Sequence, residues 1–80
     1  MKKVEVRLYA SLRKYQPDPT SGEAMVITLD DKAKLGNLLN KLGLSNKNVA
    51  IAMVNGKSEE EGYLLQDGDR IGLFPLIGGG

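Results

Sequence analysis

One leucine stripe limits how this chain can fold more than any other feature. Four leucines have the i, i+3, i+4 and i+7 spacing that places them on one face of an α-helix: Leu35, Leu38, Leu39 and Leu42. Asp30 or Asp31 is expected to cap the first amides, and Gly43 suits the left-handed residue beyond the end. Burial of the stripe must stabilise this helix, because Gly36 within it costs about 1 kcal/mol relative to alanine. No other segment predicts a helix as clearly.

Strand patterns occupy most of the remaining chain. Apolar and polar residues alternate over residues 4–9 and 25–29, which predicts two half-buried strands paired antiparallel, with a short helical turn at 10–15 after the first. The apolar run 49–54 predicts a third strand, and Asn55-Gly56 after it is a strong hairpin signal. One helix on one face of a mixed sheet of four or five strands predicts an α+β fold.

The later segments are less regular. Residues 57–62 are polar and acidic and predict a loop, in which Glu59, Glu60 and Glu61 are expected to be solvated charge rather than a metal site. Leu64-Leu65 predicts another short strand. The run 67–69 predicts a turn, more than a recognition site, into a last strand from Arg70 to Phe74, where Pro75 ends regular pairing.

The third strand is apolar on both of its faces. Simple alternation would place Val49, Ile51 and Met53 on one face and the residues between them on the other. Small alanines are tolerated on a wet surface, but an apolar outer face also suits a partner, and the sequence leaves both interpretations open. Phe74, expected on the face opposite Ile71 and Leu73, favours the partner.

Composition excludes several kinds of function. The 80 residues suit a single domain, and 41% of them are hydrophobic. Eleven basic and ten acidic residues are scattered, so no nucleic-acid partner is expected. Cysteine and histidine are absent, so no metal site and no stand-alone enzyme are expected. No apolar run is long enough to span a membrane, and the cytoplasm is the expected location.

Several short motifs resemble, in order, the MoaD/ThiS family of ubiquitin-like sulfur-carrier proteins. They are the segment Tyr9 to Arg13, the hairpin Val54-Asn55-Gly56, the pair Gly68-Asp69, and the ending Phe74-Pro75-Leu76-Ile77-Gly78-Gly79-Gly80. The resemblance implies a ubiquitin-like β-grasp fold over residues 1–77 and a flexible glycine tail over residues 78–80. Phe74-Pro75 brings the chain closest to MoaD, the small subunit of molybdopterin synthase.

By this resemblance the chain acts through its last residue. An E1-like activating enzyme of the MoeB or ThiF type would use ATP and magnesium to adenylate the Gly80 carboxylate. A sulfur donor would then form a thiocarboxylate there, and no cofactor would be bound by the carrier itself. Gly78 and Gly79 would form a slender arm, and four residues would contact partners, including a larger synthase subunit of the MoaE type: Phe74, Pro75, Leu76 and Ile77.

Two departures from the family pattern leave alternatives open. Leu76 stands where MoaD proteins have a second proline, and a triple glycine is equally at home in the ThiS branch. Molybdenum cofactor biosynthesis is therefore the first expectation and a thiamine-pathway carrier the second. A modifier conjugated to other proteins through Gly80, or a domain that only docks on a partner, would have a similar sequence.

Overall fold

The computed structural model describes residues 1–16, 24–45 and 47–75. Its elements are β1 (Lys2–Leu8), a 3₁₀ helix (Ala10–Tyr15), β2 (Met25–Leu29), α1 (Leu35–Lys41), β3 (Val49–Val54), β4 (Lys57–Ser58) and β5 (Arg70–Pro75). The strands form one mixed sheet in the order β2-β1-β5-β3-β4, with β1 and β5 parallel and the other neighbours antiparallel. The predicted α+β architecture is confirmed, with five strands.

The core lies between α1 and one face of the sheet. Leu35, Leu38 and Leu39 are buried, as the leucine stripe predicts. Inward-facing residues of β1 and β5 meet them, and fully burying one such side chain contributes about 1.5–3 kcal/mol. Isolated helices this short are unstable in water, so this packing stabilises α1. The largest fully buried side chains are Leu35, Leu38, Leu65, Leu73, Val4 and Val6.

The predicted cap of α1 is wrong. Asp30 accepts a hydrogen bond from Lys32 N (2.7 Å) and so organises the preceding turn, several residues before the helix begins. The free amides at the start of α1 bind a neighbouring loop instead, where Leu35 N donates to Tyr63 O (2.8 Å) and Gly36 N to Glu61 O (3.0 Å). The expected helix end is confirmed, since Gly43 has φ +78°.

The short fourth strand lies elsewhere than predicted. Lys57–Ser58, expected to be loop, form β4 against Met53 and Val54, whereas Leu64 makes only a single bridge with Lys34. The hairpin itself is confirmed, because Asn55 and Gly56 have φ +52° and +86° and turn β3 tightly into β4. The last strand also runs one residue further than predicted, with Pro75 opposite Val49.

A bulge in β3 changes which residues face the core. The pairing of β3 with β5 shifts register between Val49 and Ile51. Val49 therefore faces the core together with Ala52 and Val54, although simple alternation predicts that it shares a face with Ile51 and Met53. Ile51 and Met53 remain on the outer face of the sheet.

Candidate functional site

Two aromatic rings stack on the outer face of the sheet, beside the end of β5. The rings of Tyr9 and Phe74 are parallel within 3°, with their centroids 4.5 Å apart. Tyr9 follows β1, and its backbone N–H donates to Leu73 O (3.1 Å), which keeps it in register with β5. Ala10 then has φ +52°, so the chain turns sharply into the 3₁₀ helix directly after Tyr9. The sheet and this turn together fix the position of the Tyr9 ring.

Gly72 leaves room for this aromatic pair. A methyl group on Gly72 would lie 3.2 Å from Cε2 of Tyr9 and 3.5 Å from Cε2 of Phe74. The rings therefore rest against the strand where it has no side chain. Glycine inside a strand commonly marks such a close approach.

Two apolar residues of β3 extend the pair into a continuous surface. Ile51 lies opposite Phe74 and Met53 opposite Gly72, both on the outer face. We refer to these five residues as the aromatic platform: Tyr9, Ile51, Met53, Gly72 and Phe74. Ile51 is 49% exposed and Tyr9 40%, although large apolar side chains usually avoid water. The sequence leaves open whether the outer face of the third strand carries only tolerated alanines or an apolar patch that suits a partner. The described structure contains the apolar patch.

Charged side chains border the platform at the other end of the same face. Glu5 and Arg70 lie opposite each other on β1 and β5, and Nε of Arg70 is 3.6 Å from Oε2 of Glu5. Both side chains are largely exposed, so this ion pair contributes little to stability. Arg7, level with Gly72, also lines the depression of about 680 Å³ that covers this part of the face. An apolar centre with a charged rim is typical of protein–protein interfaces.

A buried carboxylate holds the start of β5 in place. Asp69 is 4% exposed and accepts hydrogen bonds from Asn55 Nδ2 (2.8 Å), Gln66 N (2.8 Å) and the Tyr63 hydroxyl (3.3 Å). Asn55 Oδ1 in turn accepts from Arg70 N (2.9 Å). The hairpin, the loop before β5 and the strand itself are therefore joined at one residue. Gly68, with φ +86°, completes the predicted turn, which has a structural role here.

This carboxylate also affects a neighbouring tyrosine. Partial burial raises the pKa of Tyr63, and the negative charge of Asp69 raises it further. The neutral hydroxyl donates to Asp69, whereas an ionised one would repel the carboxylate. Tyr63 therefore stays protonated in the folded protein to a higher pH than an ordinary tyrosine does.

The predicted site residues divide into two groups. Phe74 and Pro75 lie at the end of β5, where the Phe74 ring belongs to the platform and Pro75 is buried opposite Val49. The other five lie outside the described residues, and their assigned roles stay predictions: Leu76, Ile77, Gly78, Gly79 and Gly80. The division into a domain over 1–77 and a tail over 78–80 is likewise untested.

The sequence predicts part of the platform, because simple alternation places Ile51 and Met53 on one face and Phe74 is expected to contact partners. It indicates Tyr9 only through a motif and does not indicate Gly72, although a glycine inside a strand pattern is a usable signal. Among the described residues, no group of three or more potential metal-ligating side chains occurs, and no helix has the length and hydropathy needed to cross a membrane.

Residues 1–78 match the family model described as Mut7-C ubiquitin. The chain belongs to the Mut7-C ubiquitin family. This ubiquitin-like family and the solved structures below confirm the predicted ubiquitin-like relationship. None of the curated proteins compared matches the Mut7-C ubiquitin chain.

Three solved structures resemble this Mut7-C ubiquitin chain. Small archaeal modifier protein 1 from Haloferax volcanii is 19% identical (TM-score 0.74), with 96% of this chain and 100% of that one covered. The HVO 2177 protein from Haloferax volcanii is 24% identical (TM-score 0.74), covering 99% and 87%. A provisionally assigned molybdopterin converting factor, subunit 1, from Pyrococcus furiosus is 23% identical (TM-score 0.73), covering 96% and 100%. The predicted β-grasp fold is confirmed, and so is the resemblance to a MoaD-like protein.

Proposed function

We propose that this chain is a sulfur carrier that acts through a C-terminal carboxylate at Gly80. An E1-like enzyme of the MoeB or ThiF type adenylates this carboxylate with ATP and magnesium, releasing pyrophosphate. Sulfide equivalents from a sulfur donor then attack the acyl carbon and AMP leaves, so that the carboxylate becomes a thiocarboxylate. Adenylation is required because a free carboxylate is a poor acyl donor. The chain itself supplies no acid, base or cofactor to these steps.

The aromatic platform is the observation that carries this proposal. Phe74 belongs to it, and β5 ends one residue later at Pro75. Residues 76–80 follow, and five residues span at most about 17 Å when fully extended. An activating enzyme that docks on the platform therefore receives Gly80 in an active site within this reach. The aromatic pair, in which Tyr9 is exposed and Phe74 half-buried, suits such a contact, since aromatic residues dominate the binding energy of many interfaces.

The composition of the chain agrees with the proposed chemistry. Because the chain has no cysteine, sulfur carried covalently is held at the carboxyl terminus. Gly78, Gly79 and Gly80 have no side chains that would block a narrow channel, and glycine can adopt backbone angles that other residues avoid. The acyl group can therefore enter active sites that exclude an ordinary peptide.

Molybdenum cofactor biosynthesis is the pathway we favour. Phe74-Pro75 resembles the MoaD ending, and the fold is similar to that of the molybdopterin converting factor subunit. A larger subunit of the MoaE type is then the second partner and accepts the thiocarboxylate tail in its active site. A thiamine-pathway carrier is the alternative that the triple glycine supports.

Intact mass spectrometry tests the carrier function directly. The untagged chain is incubated with E1-like enzymes of the MoeB and ThiF types, Mg-ATP and a sulfur donor, beside a variant that lacks Gly80. We expect the mass to rise by the difference between one sulfur and one oxygen, and the truncated variant to remain unchanged. An equal gain in both proteins, or no adenylate and no gain with enzymes that activate their own carriers, would exclude the proposal.

Protein conjugation is a second candidate function. It is favoured by the similarity to the fold of a protein named as a small archaeal modifier. In this case the adenylated Gly80 is transferred to a lysine amine, and an isopeptide bond forms in place of the thiocarboxylate. Digestion of cellular proteins and a search for lysines that carry the tail remnant would detect these conjugates. Conjugates without any thiocarboxylate would make modification the better account.

A further inference from the structure

A second groove lies at the opposite edge of the sheet from β2 and adjoins the aromatic platform at Ile51, which is part of its lining. After Ser58 the chain donates one hydrogen bond, from Glu59 N to Ala52 O (2.9 Å), and then crosses to the start of α1. There Glu61 O accepts from Gly36 N (3.0 Å). β4 pairs with β3 only at Met53 and Val54, so within the described structure no strand lies along the edge of β3 from Val49 to Ile51.

The bulge makes this edge unusual. Ala50 is the one residue of β3 without a partner in either of the neighbouring strands, and it is exposed. A bulge leaves its extra residue out of the ladder, and Ala50 accordingly has no partner residue on β5. Proteins usually cover or charge such an edge, because it can pair with another chain.

The surroundings of the edge determine what fits there. The groove beside it has a volume of about 520 Å³, and Ile51, which is 49% exposed, offers the accessible large apolar side chain of its lining, because Leu35 and Leu39 are buried. Of the described residues that line it, all the charged ones are glutamates: Glu59, Glu60 and Glu61. The site therefore combines an exposed strand residue without a partner, an accessible isoleucine and three negative charges.

We infer that this edge of β3 binds an extended, lysine- or arginine-bearing segment of a partner protein by β-strand addition. The segment lies beside β3 in line with β4, beyond the point where the chain turns away from the sheet at Glu59. Its backbone pairs with Ala50, its basic side chains lie beside the three glutamates, and an apolar side chain contacts Ile51. The open edge has three residues and is about 10 Å long, so a segment of three to five residues fills it. This contact needs neither Gly80 nor the stacked rings of Tyr9 and Phe74.

Titration of the isotope-labelled chain with short peptides, followed by amide NMR shifts, tests the inference. The probe is acetyl-Lys-Val-Lys-Val-Lys-amide, compared with a form of it that is N-methylated on alternate amides and with a peptide that has glutamate for each lysine. We expect the basic peptide to shift the amides of Ala50, Ile51 and Ala52 as well as those of residues 59–61. The N-methylated form keeps the charge but cannot complete the ladder, so it should bind at least ten-fold more weakly.

A matched pair of variants separates the local charge from the net charge. Glu59→Gln, Glu60→Gln and Glu61→Gln together should weaken binding of the basic peptide about five- to ten-fold, since exposed ion pairs are individually weak. The control neutralises three exposed carboxylates elsewhere, in Glu5→Gln, Asp31→Asn and Asp67→Asn, and should retain binding. The variant lacking Gly80 should bind like the parent, so this test is independent of the carrier function.

Three outcomes would overturn the inference. Equal binding of the N-methylated peptide would mean that only charge is recognised. Shifts centred on Tyr9 and Phe74 would move the contact to the platform. If no peptide binds, a basic partner at this edge is excluded, whether or not sedimentation experiments show that the chain dimerises through it.

Discussion

Among single residues, Gly72 has the most direct link between sequence and site. It lies at the centre of the outer face, and the Tyr9 and Phe74 rings both approach the position that its Cβ would occupy. A glycine weakens a strand, because it is flexible and packs no side chain. We infer that glycine at this position weakens the strand but makes room for the stacked aromatic pair.

Gly72→Ala should change the platform more than the fold. The closest atoms to the added methyl belong to the rings of Tyr9, which is exposed, and Phe74, which is half-buried, and both rings lie on the outer face and can move by a few tenths of an ångström. We expect the free energy of unfolding to change by less than about 1 kcal/mol. Replacing a glycine within a strand by alanine is stabilising, and this effect offsets the cost of the close contact between the new methyl group and the rings. The ring-current shifts between Tyr9 and Phe74 should decrease in NMR spectra, and binding to the activating enzyme should fall. Unchanged ring-current shifts would mean that Gly72 does not shape the stack.

Asp69 has the opposite role, since it acts inside the molecule. Asp69→Asn replaces an acceptor oxygen by an N–H₂ group that faces a donor: Asn55 Nδ2, or the pair Gln66 N and Tyr63 OH. An unsatisfied buried donor costs about 1–3 kcal/mol, and we expect a loss of that size in urea unfolding. The control is Asp67→Asn, in which the exposed side chain can still accept from Lys3 N. A similar loss in both variants would contradict the assigned role of Asp69.

The raised pKa of Tyr63 predicts a dependence of stability on pH. The folded state holds the Tyr63 proton more tightly than the unfolded state, whose tyrosine titrates at its ordinary value of 10.0. This contribution is fully present below pH 10.0, and it is lost as the pH rises from there through the folded-state pKa. Because other tyrosines and lysines also titrate in this range, the quantity to compare is the stability of the parent minus that of Tyr63→Phe. We expect this difference to decrease with pH above 10.0, and a constant difference would refute the linkage.

At the scale of elements, the start of α1 depends on a distant loop. The helix receives its first hydrogen-bond partners from residues 61–63 rather than from a local acidic cap. The same contact explains Gly36, because a methyl group there would lie 3.2 Å from Cβ of Glu61 and 3.4 Å from its carbonyl oxygen. The loop and the helix fit only because residue 36 is small.

Gly36→Ala should therefore fail to stabilise the helix. Alanine normally gains about 1 kcal/mol over glycine within a helix. Here the added methyl pushes on a loop that is hydrogen-bonded to the same turn, and we expect stability to be unchanged or lowered by up to about 1 kcal/mol. Asn40→Ala on the exposed face of α1 is the control and should stabilise by about 0.5 kcal/mol. If urea unfolding showed that Gly36→Ala raises the free energy of unfolding by the usual amount of about 1 kcal/mol, the loop would be able to move aside without cost.

The elements that the sequence predicts well are those with local signals. The leucine stripe, the alternation in β1 and β2 and the Asn55-Gly56 turn each follow from spacing or backbone preference. The misplaced features depend on contacts between distant segments. The bulge at Ala50 reverses the face expected for Val49, and the helix cap comes from residues 61–63. For the platform, the sequence predicts that Ile51 and Met53 share a face and that Phe74 contacts a partner. It does not predict the stack of Phe74 with Tyr9, because this depends on β1 and β5 lying side by side.

On the scale of the whole molecule, folding and the proposed function are assigned to different parts of the chain. The buried apolar cluster of the described structure extends from Val4 to Leu73, whereas the proposed reactive group is at Gly80.

Leu73→Ala, at a position with no exposed surface, should lower the free energy of unfolding by about 2–5 kcal/mol. Deletion of Gly78–Gly80 should leave thermal unfolding unchanged and abolish the mass gain in the thiocarboxylate assay. At a temperature where it stays folded, Leu73→Ala should retain the gain, because the enzyme acts on the tail. If deletion of the tail unfolded the domain, the last three glycines would contribute to the fold. The separation of folding and proposed function between the two parts of the chain would then be wrong.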